Sequence, residues 1–235
     1  MYSLKFKVTT STCDSEGQLK LYSALQMLQD CSEMWLESEP AVKQFFHSQH
    51  MTQLLATRQV EIVRMPRFKE DLTVTTSVYE VKPMYGFRNT FITDAHGEPC
   101  LKTWSMGAFV DLNTGRLKRI DDEIIATIVM DDKRDMSYRD RRIILPKEAG
   151  IQAPPVKVLR ADIDYNRHMN NACYARMAME LLPEDFEVKS MRMEYRVPAK
   201  LGDLLTPTIF NSGGTITVCL AIGTETSAII EFSNQ

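Results

Sequence analysis

The stretch Ile163-Asp164-Tyr165-Asn166-Arg167-His168, with the helix behind it, decides how this chain is read, because its order occurs twice. Cys13-Asp14-Ser15-Glu16-Gly17-Gln18 is also a polar turn. It follows a short extended piece, Lys5 to Thr9, and precedes a helical stripe of Leu21, Ala24, Leu25, Leu28 and Trp35. Behind His168 the stripe is Tyr174, Met177, Ala178 and Leu181. Pro183 is expected to stop that helix and Pro40 the first one.

Extended segments follow each helix. Leu72, Val74, Thr76 and Val78 alternate in the first half, and Phe87 to Thr93 and Leu101 to Val110 continue the pattern. In the second half Met191, Met193, Tyr195 and Val197 alternate, as do Ile216, Val218, Leu220 and Ile222. Val60-Glu61-Ile62 through Pro66 to Asp71 lies against Met193-Glu194-Tyr195 through Pro198 to Asp203 after one gap. Between the halves, mixed charges precede Pro146, Gly150, Pro154 and Pro155, which is linker chemistry. A solvated connector is expected there, with a partner-binding role for Arg139, Arg141 and Arg142 as the less favoured alternative. The reading is an α+β chain with units at 1–130 and 156–235 and a linker at 131–155. In each unit an antiparallel sheet wraps one helix and buries its stripe.

Composition narrows the function. A net charge of −3 in 235 residues argues against a nucleic-acid binder. No apolar run approaches the roughly 18 residues of a membrane span. The N-terminus MYSLKFKVTT has no signal-peptide pattern, so a cytoplasmic location is expected. Cys13, Cys31, Cys100, Cys173 and Cys219 are scattered, with no C-x-x-C pair, and are read as reduced thiols. His47 and His50 lack an H-E-x-x-H context. No metal and no cofactor is therefore expected. Nucleotide loops and the G-x-S-x-G elbow are missing as well.

The chemistry concentrates in Asp164-Tyr165-Asn166-Arg167-His168-Met169-Asn170-Asn171. In an extended stretch, residues two apart point to one side, so Asp164, Asn166 and His168 are expected to converge. A carboxylate orients an imidazole, a carboxamide donates to a developing oxyanion, and a helix N-terminus adds N–H groups and partial positive charge. Such groups hydrolyse an activated acyl group without a serine or cysteine nucleophile. The competing reading is a polar turn in which Asn170 or Asn171 caps the helix. In the first half Glu16 and Gln18 stand where Asn166 and His168 stand in the second.

These residues resemble the D-x-N-x-H-x-N-N-x-x-Y motif of acyl-[acyl carrier protein] thioesterases. Gln59-Val60-Glu61-Ile62-Val63-Arg64-Met65-Pro66 is similar to that family's Q-V-E-x-x-R-x-P strand. Thr103-Trp104 with Asn113-Thr114-Gly115-Arg116-Leu117-Lys118-Arg119-Ile120, and Met193-Glu194-Tyr195-Arg196, resemble its W-x-M-M-N-x-x-T-R-R-L-x-x-I and L-E-Y-R segments. The resemblance covers nearly the whole chain. It implies a tandem (double) hotdog, two long helices each wrapped by an antiparallel β-sheet. It implies hydrolysis of acyl carrier protein thioesters to free fatty acid, with Asp164, Asn166 and His168 as catalytic residues. Its partners are the carrier with its acyl-phosphopantetheine and the fatty acyl chain; a homodimer is compatible with it. The first unit is expected to carry a degenerate site and to contribute to the acyl pocket.

One departure bears on mechanism. In plant relatives the L-E-Y-R strand runs into a Glu-Cys pair implicated in catalysis, whereas Pro198 and Ala199 are aligned there. Neither transfers a proton. Asp164 then activates water or attacks directly, and His168 positions water or moves the proton; the sequence leaves these open. Glu180 and Glu194 are substitute carboxylates, each more simply read as surface or structural. Met27, Met34, Met106, Met177 and Met179 are candidates to line an acyl tunnel. Arg64, Arg67 and Lys69 are candidates to meet an acidic carrier. Two alternatives remain: an acyl-coenzyme A thioesterase using the same residues, and a non-catalytic acyl-binding protein.

Overall fold

The computed structural model describes residues 1–235, which divide into two compact units. One comprises Met1–Ala56 and Glu61–Tyr138, the other Thr57–Val60 and Arg139–Gln235.

The first unit contains β1 (Tyr2–Lys7), α1 (Leu21–Glu37), α2 (Pro40–Ser48), β2 (Met51–Ile62, except its Thr57–Val60), β3 (Asp71–Lys82), β4 (Tyr85–Thr93), β5 (Pro99–Asp111) and a single turn, α3 (Asp122–Ile125). Strands β1, β3, β4 and β5 pair antiparallel in that order. Helix α1 forms because its apolar residues recur on one face. Ala24, Leu25, Leu28 and Cys31 are fully buried, and the helix packs on β3 and β1. Each buried leucine contributes about 1.5–3 kcal/mol relative to exposure, so a charge at Leu28 would break this packing. Pro40 does not stop α1, which already ends at Glu37; it opens α2 at its first turn, where a missing N–H costs nothing.

The second unit contains β6 (Ile151–Gln152), β7 (Val156–Lys157), α4 (Asn171–Met179), β8 (Ser190–Tyr195), β9 (Leu204–Ser212), β10 (Thr215–Ile222) and β11 (Glu225–Ser233). The antiparallel order is β8, β11, β10, β9, with β6 and β7 both on β9. Helix α4 has nine residues against seventeen in α1, and buries Ala172, Cys173, Tyr174, Ala175, Met177 and Ala178.

Residues 131–155 are mostly exposed, with ties at a few points. Asn89 Oδ1 accepts the Arg134 N–H at 3.0 Å, and Glu61 accepts the Ser137 N–H at 2.9 Å. Further on, Glu194 accepts the Ile143 N–H at 2.8 Å, and Ile143 is buried with Cys219 and Ile229. Side-chain acceptors thus satisfy backbone donors that no sheet supplies.

The duplication is visible bond by bond. The Asp14 N–H donates to the Gln18 carbonyl at 2.8 Å, and the Asp164 N–H to the His168 carbonyl at 2.9 Å. Cys13 bridges Leu19 as Ile163 bridges Met169. The left-handed position of the turn is Gly17 (φ 72°) in one copy and Arg167 (φ 63°) in the other. The Leu19 N–H donates to the Pro66 carbonyl at 2.7 Å, and the Met169 N–H to the Ala199 carbonyl at 2.9 Å. Glu70 accepts the Arg67 N–H and Asp203 the Lys200 N–H, both at 2.7 Å. These bonds correct the register read from the sequence. Pro66 corresponds to Ala199, not Pro198, and Glu70 to Asp203, so no gap is needed. What repeats is a backbone carbonyl and a carboxylate a fixed distance beyond it. Any residue supplies the carbonyl, so the shared prolines misled the alignment.

Candidate active site

Asp164, Asn166 and His168 lie in a tight turn between the Ile163–Met169 bridge and α4, not in an extended strand. Alternation along a strand therefore does not orient them. Asp164 Oδ1 accepts the Asn166 N–H at 2.9 Å, which closes an Asx turn. Asp164 and His168 are half-buried and Asn166 is exposed. Their side chains do not hydrogen-bond to one another. Asn170 caps α4, its Oδ1 accepting the Ala172 N–H at 2.9 Å, so the capping reading holds for Asn170.

The first unit shows what this turn looks like without the polar pair. There Asp14 Oδ1 accepts two N–H groups, from Glu16 at 2.9 Å and Gln18 at 2.8 Å. Gln18 also bridges Arg67, and the Phe68 N–H donates to the Gly17 carbonyl at 2.8 Å. The second unit makes neither tie, since His168 does not bridge Lys200 and Leu201 does not bond to Arg167, and Asp164 holds one N–H instead of two. The turn bearing Asn166 and His168 is thus less closed by its own backbone. Asp164 shares its turn-forming role with Asp14; Asn166 and His168 have no counterpart.

A pair that the sequence reading missed lies just before the turn. Asp162 is buried; its Oδ2 accepts the Leu159 N–H at 2.8 Å and its Oδ1 meets Arg176 Nη2 at 2.5 Å. Its carbonyl accepts the Asn170 N–H at 2.8 Å. The signal was the second carboxylate in Asp162-Ile163-Asp164, with an Arg on the following helix.

Ala199, aligned from sequence with the second residue of the family's Glu-Cys pair, is fully buried. Its N–H donates to Tyr174 Oη at 2.8 Å while its carbonyl holds Met169. Burial pushes the Tyr174 hydroxyl up from its ordinary range, so it stays protonated. Tyr195 stacks edge-on to Tyr174 at 5.6 Å and donates to the Asn171 carbonyl at 3.0 Å. Of the substitute carboxylates, Glu194 is engaged by the Ile143 N–H and by Arg196 at 2.9 Å, and Glu180 is exposed at the end of α4.

The other candidates separate. Arg64 is bound to Glu70 and Asp94, both at 2.8 Å, so the Arg64, Arg67 and Lys69 cluster is not a free basic patch. These acids raise the Arg64 pKa, and hydrogen bonds from Arg64 hold both carboxyls below their usual range. The first unit holds an apolar pocket, open to solvent, walled by Trp35, Val42, Phe46, Val78, Phe87 and Phe109. Arg88 and Gln53 also face it, and none of the five candidate methionines does.

Residues 1–128 match the acyl-ACP thioesterase N-terminal domain and residues 147–228 the acyl-ACP thioesterase C-terminal domain. The chain is 30% identical over 147 residues to acyl-[acyl-carrier-protein] hydrolase FATB3, chloroplastic, of Cuphea viscosissima, covering 59% of this chain and 36% of that one. It is 23% identical over 175 residues to oleoyl-acyl carrier protein thioesterase 2, chloroplastic, of Arabidopsis thaliana, covering 66% and 46%. The chain thus spans less than half the length of these two relatives. Among solved structures, the 12:0-ACP thioesterase from Umbellularia californica superposes with a TM-score of 0.87 at 16% identity, covering 99% of this chain and 96% of that one. An acyl-ACP thioesterase from Bacteroides thetaiotaomicron gives 0.85 at 19% identity, covering 98% and 96%. At such identities the likeness establishes the fold, the α+β tandem hotdog.

Proposed function

Since the chain belongs to the acyl-ACP thioesterase family, we propose that it hydrolyses the thioester linking an acyl chain to the phosphopantetheine of acyl carrier protein. The observation that carries this is the turn at Asp164–His168. It repeats the backbone closure of the Asp14–Gln18 turn, the Asp N–H to the carbonyl four residues on, yet presents a carboxamide and an imidazole where the first copy has Glu16 and Gln18.

In this reading the thioester carbonyl lies at the turn, beside the N-terminus of α4. The Asn166 amide donates to the oxygen that gains charge as water attacks, assisted by the positive end of the helix. His168 takes the proton from the attacking water and returns it to the departing thiolate, giving free acid and the carrier thiol. Asp164 shapes the turn through Oδ1, and its Oδ2 has no protein donor, which leaves it available to the imidazole or the water. With Pro198 and Ala199 at the family's Glu-Cys positions, proton movement falls to Asp164 and His168. The apolar cavity of the first unit supports an acyl-binding part for residues 1–130.

Thiol release from a panel of acyl carrier protein thioesters, with His168→Ala as control, tests the proposal. Release by wild type and loss in the variant are expected; a folded wild type that binds the acylated carrier yet releases no thiol would be an acyl-binding protein instead. Faster turnover of the same acyl chain on coenzyme A than on the carrier would move the substrate to coenzyme A.

A further inference from the structure

We infer that the carrier protein docks on the surface surrounding this turn, formed by the loops at Lys157–Arg160, Tyr165–Arg167 and Lys200–Leu204. The inference rests on the thioesterase reading for the identity of its partner. The three loops are joined by backbone bonds within the second unit. Lys157 pairs with Leu204 across β7 and β9. The Gly202 N–H donates to the Val158 carbonyl at 3.0 Å, and the Met169 N–H to the Ala199 carbonyl at 2.9 Å. They therefore form one continuous face with Asn166 and His168 beside it.

Two kinds of side chain stand on that face. Lys157, Arg160, Arg167 and Lys200 are exposed, and none is in an ion pair within the protein. Of the nearby acids, Asp162 is engaged by Arg176 and Asp203 by the Lys200 N–H, while Asp164, inside the turn, keeps Oδ2 without a protein donor. Between the cations, Leu159, Tyr165, Leu201 and Leu204 are exposed, Tyr165 at 79%. Large apolar side chains grouped beside unpaired charges of one sign mark a protein contact, and here the partner must be acidic.

The internal duplicate serves as a control. At the same positions of the first unit, Thr9, Thr10, Ser15 and Gly17 replace Leu159, Arg160, Tyr165 and Arg167. Asp71 replaces Leu204 and neutralises Lys7 at 2.6 Å, the position of Lys157. Arg67 and Phe68 stand at the positions of Lys200 and Leu201, so those two are common to both copies; Arg160, Arg167, Leu159, Tyr165 and Leu204 are not demanded by the fold and accompany only the copy that holds Asn166 and His168. An acidic carrier with its acyl thioester on a flexible arm fits a cationic, apolar-centred face at the mouth of a hydrolytic turn. This differs from the Arg64, Arg67 and Lys69 cluster expected from sequence, whose Arg64 is already committed to Glu70 and Asp94.

The test is a titration of the full chain with a bacterial acyl carrier protein bearing a non-hydrolysable amide-linked acyl chain. Wild type is compared with the double variant Arg160→Glu/Lys200→Glu. Both positions are exposed and outside the catalytic turn, so the fold is retained. Affinity should fall about tenfold, and its dependence on salt should flatten. In parallel, hydrolysis of a carrier-free acyl-pantetheine should be unchanged in the variant. Equal carrier affinity in both proteins overturns the surface, as does a variant that keeps carrier affinity but changes oligomeric state. A wild type that binds the carrier at this face but hydrolyses neither substrate leaves the surface standing and removes the thioesterase reading.

Discussion

Asp162 and Arg176 form an ion pair, Oδ1 to Nη2 at 2.5 Å, that the first unit lacks. Thr12 and Gln26 stand at the corresponding positions, and Thr12 Oγ1 accepts only the Thr9 N–H at 2.9 Å. The carboxylate in place of Thr12 keeps that local bond, to Leu159, and adds a tie to the middle of α4. Both ends of the turn carrying Asn166 and His168 are thereby fixed, one through the Asp162 carbonyl to Asn170 and one through its side chain.

Asp162→Thr keeps an acceptor for the Leu159 N–H and loses the tie to α4. It should cost about 1–2 kcal/mol, seen as a lowered Tm. Arg176→Gln leaves a buried carboxylate without its cation and should cost more, about 3 kcal/mol, the low end for a buried pair because Arg176 is partly exposed. The double variant, which restores the residues of the first unit, should cost less than the sum. In all three, kcat should fall with KM little changed, because the pair positions the turn and does not touch the carrier. Additive melting data would show that the two residues do not act on one another.

Substitutions within the turn should separate its three polar residues. Asn166→Ala and His168→Ala should each lower kcat by about 10²–10³ with the melting curve unchanged, since neither side chain holds the fold. Asp164→Ala should lower both activity and stability, because it opens the Asx turn. Asp164→Asn restores the acceptor and the turn without the charge; it should melt like wild type and still lose about 10² in rate. A fully active Asp164→Asn would reduce Asp164 to a turn former, the role Asp14 already shows.

Arg64 links stability to pH. Hydrogen bonds from Arg64 depress the Glu70 and Asp94 carboxyls in the folded protein. As pH falls below about 4, the unfolded chain takes up these protons first, and the stabilisation is lost as pH passes through the lower folded values. It is fully present at neutral pH. Arg64→Gln should therefore flatten the acid limb of Tm against pH and lower Tm most above pH 5. Parallel acid limbs in the two proteins would mean that the three groups are not coupled in solution.

Much of this was legible in the sequence, for reasons tied to particular residues. The twofold order of turn, helix and strands showed because Asp14 and Asp164 make the same turn and because both helices need an apolar stripe. The candidate site showed because Asn166 and His168 are unusual where Glu16 and Gln18 suffice. Pro40 misled because a proline that ends one helix and one that begins the next look alike. Pro198 misled because alignment weighs side chains, whereas the fold repeats the carbonyls of Pro66 and Ala199. Asp162 was overlooked because its partner, Arg176, is adjacent only once α4 has formed. The cation face was not legible, because whether a charge is committed, as in Arg64, or free, as in Arg160, depends on residues far away in the chain.

The Tyr174 hydroxyl gives the last prediction. It accepts the Ala199 N–H at 2.8 Å inside the second unit, and the Ala199 carbonyl in turn receives the Met169 N–H, next to His168. Tyr174→Phe removes the acceptor and leaves a buried N–H unsatisfied, which costs about 1–3 kcal/mol. The ring and its contact with Tyr195 remain, so the fold should persist with a lower Tm. Because the loss falls on the residue that holds Met169, the kcat for acyl carrier protein thioesters should drop several-fold while carrier affinity stays the same. Amide exchange at Met169 should also quicken relative to Leu19, whose acceptor Pro66 has no N–H to lose. Unchanged exchange at Met169 together with unchanged kcat would show that Ala199 is held by its surroundings and not by Tyr174.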